Sequence, residues 1–131
     1  MRHRISILFL LLIIAHVLHA TEEYFGKLWE IYDPAIFVCN LVSSNPENGF
    51  FIINIVFLII ALVYWRLLIY KNDSPSYVLV WIWIILQSIN VMGHIVWTIS
   101  RRAYTPGIIS AFLILLLVIL LTKALLAKRP E

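Results

Sequence analysis

The residues that could do chemistry fall in two groups, each inside or at the end of an apolar run. His16, His19, Glu22 and Glu23 form the first, and Gln87, Asn90 and His94 form the second, which leads into Arg101, Arg102 and Tyr104. Imidazole nitrogens and carboxylate oxygens are suitable ligands for zinc, iron or manganese. His19 and Glu22 are spaced i, i+3, and His19 and Glu23 i, i+4, so on a helix they can converge on one ion. His94 would complete the set from a second helix. The expected ligands are therefore His19, Glu22, Glu23 and His94, with an open position for water and the left-over carboxylate as base. A dinuclear carboxylate centre is disfavoured, because only two acids lie near the membrane core. Without a metal, a carboxylate beside an imidazole can still serve as general acid or base. Glu22, Glu23, Asn90, Arg101 and Tyr104 are the candidate catalytic residues. Arg101 and Arg102, with the amides that start a helix at Thr105-Pro106-Gly107, suit an anionic head group. The substrate this suggests is lipid-like, with its tail among the helices and its polar head at the surface.

The elements that must position these groups follow from composition. Of 131 residues, 63% are apolar or aromatic and 13% are charged. A soluble domain has roughly half apolar and a quarter charged residues. A soluble domain, a disordered tail and a nucleic-acid module are excluded, and the length allows a single unit. The lone Cys39 excludes a disulfide framework and a thiolate cluster, and in its loop it is expected to be packed. Neither a glycine-rich nucleotide loop, a Ser/His/Asp arrangement nor a haem-attachment motif is found.

Four segments are long enough to cross a bilayer, which takes about 20 apolar residues. They run from about 5 to 20, 50 to 70, 77 to 100 and 108 to 127. Backbone amides in hydrocarbon must be satisfied within the segment, so these are helices. Asn45-Pro46, Ser74-Pro75 and Thr105-Pro106 each place a capping side chain before a proline at the first helical position. Asp33-Pro34 opens a short amphipathic helix over 35–42, lying on the membrane surface in the first outer loop. The other connections are short, which predicts an up-down bundle of four transmembrane helices. Arg2 and Arg4 before an apolar run also fit a secretory signal. Leu18 stands where a small residue is expected, however, and His16 and His19 interrupt the region, so a retained helix is predicted. Asn72-Asp73-Ser74 matches a glycosylation sequon, but the proline that follows and its predicted inner position count against use.

Orientation follows from the basic residues. Arg2, Arg4, Arg66, Lys71, Lys123, Lys128 and Arg129 fall on the side of the N-terminus, against Lys27, Arg101 and Arg102 on the other. This predicts cytoplasmic N- and C-termini and accounts for the net charge of +3 without nucleic acid. Trp29, Tyr32, Tyr64, Trp65, Tyr70, Tyr77, Trp97 and Tyr104 lie near span ends, as interfacial aromatics do.

Alternating direction brings the two polar groups to one depth. His94 lies six residues before Ser100, or roughly 9 Å below the surface at 1.5 Å per residue. His19 and Glu23 end the first helix at that surface, and Asn54 lies a turn or two inside the second. At about 100° per residue His16, His19, Glu22 and Glu23 fall within an arc of about 120°. Gln87, Asn90 and His94 fall within an arc of about 60°, which Arg101 would continue. Taken singly, each of these residues reads as an interfacial charge or an interhelical hydrogen bond. As a set they point to a site, because buried ionisable groups are costly in a membrane.

Three patterns also resemble the HXXEE family of small prokaryotic membrane proteins. They are His19-Ala20-Thr21-Glu22-Glu23 followed by Tyr24, then Asn90-Val91-Met92-Gly93-His94, then Arg101-Arg102-Ala103-Tyr104-Thr105-Pro106-Gly107. The last is similar to an R-K-x-Y-x-P-G pattern with arginine in the lysine position. That change matters only if the side chain must titrate or act as a nucleophile. The family is uncharacterised, so the resemblance implies a site at these positions, a prokaryotic cell membrane, and no particular reaction. Three functional classes follow. One is a membrane-embedded hydrolase or isomerase of an amphiphile, metal-dependent or acid–base. Another is a transporter or lipid/ion-binding protein, against which the lack of inverted repeats and broken helices counts. The third is an accessory subunit, which should tolerate alanine at both His19 and Glu23.

Overall fold

A computed structural model of the chain describes residues 2–71 and 74–127. Six helices follow in order: α1 (Arg2–Phe25), α2 (Leu28–Ile31), α3 (Asp33–Val42), α4 (Pro46–Tyr70), α5 (Ser74–Arg101) and α6 (Ile108–Leu126). Four of them, α1, α4, α5 and α6, are long and apolar enough to cross a membrane. The expected all-α membrane bundle is the observed architecture. Lys128, Arg129, Asn72 and Asp73, used above for orientation and the sequon, lie outside the described residues.

The ends of the elements differ from expectation in ways that matter for the site. Helix α1 runs to Phe25, so His19, Glu22 and Glu23 sit in its last two turns. Helix α4 starts at Pro46, four residues before the apolar run, because the Asn45 side chain accepts from the amides of Glu47 and Asn48. The Thr105-Pro106 cap is corrected. Helix α6 begins only at Ile108, and its N-cap is Gly107 in the left-handed region at φ 93°. Pro106 instead packs on Gly26 just beyond α1, where any side chain would meet its ring. The first loop holds a helix over Asp33–Val42, preceded by the one-turn α2. Trp29 and Tyr77 are buried.

Around the bundle α1 packs on α6 and α4, and α5 packs on α6 and α4. Helices α1 and α5 are therefore diagonal, and as first and third spans they run in the same direction. The half of the bundle around the start of α1 is apolar, with Ile5, Phe9, Leu12, Val80, Ile114 and Leu121 fully buried. At the opposite end Leu28, Trp29, Cys39 and Phe50 make a second, smaller cluster that seats α2 and α3 over the start of α4. Tyr24 ties α1 to this end by donating to Glu47 Oε1 at 2.9 Å. Burial, and then the Glu23 carboxylate, push the Cys39 thiol up, which fits a packed role.

Helices α3 and α4 approach closely because Gly49 has no side chain. A Cβ there would lie 2.9 Å from the Cys39 carbonyl carbon, a backbone atom that cannot move aside. Gly49→Val should separate the two helices and expose Cys39 to maleimide in detergent. Gly93→Ala, whose Cβ would meet nothing nearer than the Tyr32 hydroxyl at 3.6 Å, should leave the thiol protected. Equal alkylation of both variants would contradict this packing.

Candidate metal and acid–base site

The two polar stripes meet across the bundle as a ladder of three rungs. Gln87 Nε2 lies 3.2 Å from His16 Nδ1, Asn90 Nδ2 lies 3.0 Å from His19 Nε2, and His94 Nε2 lies 3.0 Å from Glu23 Oε1. Each rung joins residues 71 apart in sequence. A constant difference is the signature of parallel helices in register, and the steps of three and four keep every rung on one face of each helix. The upper two rungs converge. Glu23 Oε1 is 3.2 Å from His19 Nε2 and 3.0 Å from His94 Nε2, and the imidazoles stand edge to face at 4.7 Å.

Proton positions at His19 follow from its neighbours. Ser110 Oγ donates to Glu22 Oε2 at 2.5 Å, so at 2.8 Å from His19 Nδ1 it can only accept. His19 therefore carries a proton on Nδ1. Its Nε2 then presents a lone pair that accepts from Asn90 and faces the Glu23 carboxylate. His94 Nδ1 is buried without a partner, so the ring's proton belongs on Nε2, where it donates to Glu23. With His19 0%, His94 3% and Glu23 7% exposed, a lone pair and a carboxylate oxygen face each other in a buried site. A positive charge between them, a proton or a metal cation, would relieve that arrangement. Among the described residues the ion pairs of Glu23 are with these two histidines.

His19, Glu23 and His94 each offer one ligand atom, all within 4.8 Å of one another. A tetrahedral ion with bonds of roughly 2.0–2.1 Å spaces its donors about 3.3 Å apart. The two Glu23 contacts are already close to that.

Glu22 has a different place from the one expected. Its Oε1 accepts from Ile109 N at 3.2 Å and its Oε2 from Ser110 N at 2.8 Å. The carboxylate of α1 thus caps α6 from outside, taking the amides that a helix start offers to an anion. It also accepts from the Tyr104 hydroxyl at 2.8 Å. Glu22 stands outside the trio, connected to it through Ser110 and His19. The amides proposed for an anionic head group are occupied by the chain's own acid, which corrects that expectation. Arg101 ends α5, Arg102 follows at φ 51°, and both are exposed, with no ion pair to Glu22 or Glu23. Asn54 donates to the Phe50 carbonyl of its own helix at 3.0 Å and does not reach the trio.

Ser110 was missed in the sequence, although it could have been noticed as a hydroxyl in the first turn of the largely apolar α6. Gly107 stands in the third sequence pattern, but nothing there pointed to its contact with the imidazoles. A Cβ there would lie 2.5 Å from His94 Cε1 and 2.9 Å from His19 Cε1, so only glycine lets α6 close over both imidazoles.

Residues 10–122 match the family described as "Protein of unknown function with HXXEE motif". No curated protein and no solved structure matches the chain.

Although most of the Tyr104 ring is exposed, burial and the bonded Glu22 carboxylate push its phenol up to about 12 from an ordinary 10.0. A raised phenol pKa means the contact supports the fold fully below pH 10.0 and is lost as pH rises through about 12. The difference in alkaline absorbance titration between the wild type and Tyr104→Phe should show a midpoint near 12. In a Glu22→Gln background that midpoint should fall toward 10.0; an unchanged midpoint would remove Glu22 as its cause.

Proposed function

We propose that this chain, which belongs to the HXXEE family, binds a divalent transition-metal ion at His19, Glu23 and His94 and uses the site on a lipid-like amphiphile. The observation that carries the reading is the meeting of Glu23 Oε1 with two imidazole Nε2 atoms in a buried, otherwise uncompensated site. Zinc suits two nitrogens and one oxygen with a fourth position open, with iron and manganese as the other candidates. Bound there, such an ion polarises a carbonyl or phosphoryl oxygen, or lowers the pKa of a water. The reaction class this supports is hydrolysis or isomerisation.

The chain's own residues have separable roles in this reading. Ser110 fixes the Nδ1 proton of His19, as the outer partner of a metal-ligating histidine does, whereas the Asn90 amide holds the Nε2 lone pair and would have to release it to an ion. To hold an ion through Nε2, His94 would carry its proton on Nδ1 instead. Glu23 is both ligand and the nearest base. Ser110, Glu22 and Tyr104 form a hydrogen-bonded line from His19 to the exposed phenol, along which a proton can be exchanged with the surface. Tyr104 and Arg101 stand at that surface as groups for the polar end of a substrate.

The packing of the other half of the bundle argues against the transporter reading, since among the described residues no buried acid or histidine continues the ladder through it. From the basic residues we place both termini in the cytoplasm and the site toward the outer face of a prokaryotic plasma membrane.

Elemental analysis of the full chain purified in mild detergent and dialysed against zinc tests the site. One ion per chain is expected, with at least tenfold weaker binding in His19→Ala and His94→Ala. Glu22→Gln should keep the ion, because that carboxylate caps α6 instead. Metal-free wild type, or full occupancy in both histidine variants, would refute the assignment.

A further inference from the structure

A cavity of about 230 Å³ lies between α3, α4 and α5, directly beside the ladder. Most of its wall is apolar, from Ala35 and Val38 on α3, Ile53 and Phe57 on α4, and Leu86 on α5. Val38, Phe57 and Leu86 are exposed while lining it, so it opens sideways between the helices. Its polar lining is His16, Glu23, Asn54, Gln87 and Asn90, and the Asn54 amide is already engaged with the Phe50 carbonyl. Two of these carry buried atoms without a partner, His16 Nε2 and Gln87 Oε1. His16 is 9% exposed and Gln87 4%, and buried polar groups without a partner are costly.

The lower rung fixes what they offer. Gln87 Nε2 donates to His16 Nδ1 at 3.2 Å, which leaves the His16 proton on Nε2. The two residues that line the cavity therefore hold one N–H donor and one carbonyl acceptor for which the chain supplies no partner. A neutral group that both accepts and donates, such as an alcohol, matches the pair. An anionic head group does not: no lysine or arginine lines the cavity, and the Glu23 carboxylate does. An ammonium head has no lone pair for His16. The volume, below the roughly 300–1,000 Å³ of a drug-sized pocket, takes one chain and not two.

We propose that this cavity binds a neutral single-chain amphiphile, an alcohol on an alkyl or isoprenoid tail, entering from the side and hydrogen-bonding His16 Nε2 and Gln87 Oε1. This names the substrate class for the site proposed above and rests on that reading only for what happens to the ligand, not for its binding. Bound this way, the carbon next to the hydroxyl lies by Asn90 and Glu23, at the edge of the metal trio.

The full chain in nanodiscs is photolabelled with dodecan-1-ol carrying a mid-chain diazirine, and in parallel with the corresponding dodecanoate at pH 8 and dodecylamine. Mapping the adducts should place the alcohol on residues 53–57 and 86, with at least about tenfold less label there from the acid or the amine. Gln87→Leu, which removes the acceptor and frees His16 Nδ1, should cut alcohol labelling about tenfold, the loss of one buried hydrogen bond. Ala35→Phe fills the cavity from α3 without touching the ladder and should abolish labelling even if Gln87→Leu fails to fold. Equal labelling by the three probes, stronger labelling by the amine, or adducts that persist in Ala35→Phe would overturn the proposal. Zinc content measured on the same preparations separates the two readings. Labelling without metal sinks only the metal centre, and metal without labelling sinks only the cavity.

Discussion

A carboxylate inside a bilayer must be matched by positive charge or be neutralised, and Glu23 is where this protein meets that requirement. Its partners do not come from its own neighbourhood alone. His94 reaches it from the helix diagonally opposite, at 3.0 Å, while His19 stands one turn back on α1. For side chains to touch across a diagonal, α1 and α5 must be parallel, in register and at one rotation about their axes. The shared offset of 71 over three rungs shows that all three conditions hold together. A slip of one residue would turn each stripe by about 100° and strand the acid in hydrocarbon. The ladder thus sets the register of the bundle as well as forming its candidate site.

The two neighbouring acids of the motif divide the work by helical geometry. Adjacent residues on a helix point about 100° apart, so Glu23 faces α5 when Glu22 faces α6. Glu22 supplies the negative charge that the start of α6 attracts, and α6 is left without a side-chain cap of its own. Gly107 completes the joint, since its missing side chain lets that helix start lie on His19 and His94. The Tyr104 to Gly107 segment thus has a structural meaning at each end, in the phenol on Glu22 and the glycine on the imidazoles. The HXXEE signature is then one fitted joint between α1 and α6 with a buried acid behind it.

Much of this was legible in the residues. Apolar runs gave the four spans, alternating direction gave a shared depth, and helical phase put His19 and Glu23 on one face and Asn90 and His94 on another. Phase, however, states where a side chain points about its own axis, not which neighbour stands there. That is why Glu22 could be read as a ligand, although α6 lies in its direction and takes it. It is also why the Thr105-Pro106 pair read as a cap: the proline's partner, Gly26, is 80 residues away in sequence. Ser110 was hidden by the same gap, since a lone serine gains a role only when the tautomer of a distant histidine depends on it.

The asymmetry of the bundle along its axis limits what the site can serve. Below the ladder the packing is mostly apolar, with Phe9, Leu12, Val80 and Ile114 fully buried, and among the described residues the polar side chains buried there are the serines Ser6 and Ser76. Above it, Tyr104 and Glu22 connect His19 to the surface through Ser110. To the side, a mostly apolar cavity leads to Glu23 and Asn90. A hydrogen-bonded line to the surface and a mostly apolar approach from the flank thus meet at His19 and Glu23, and on that meeting rests the proposed reading of a reactant held in the membrane.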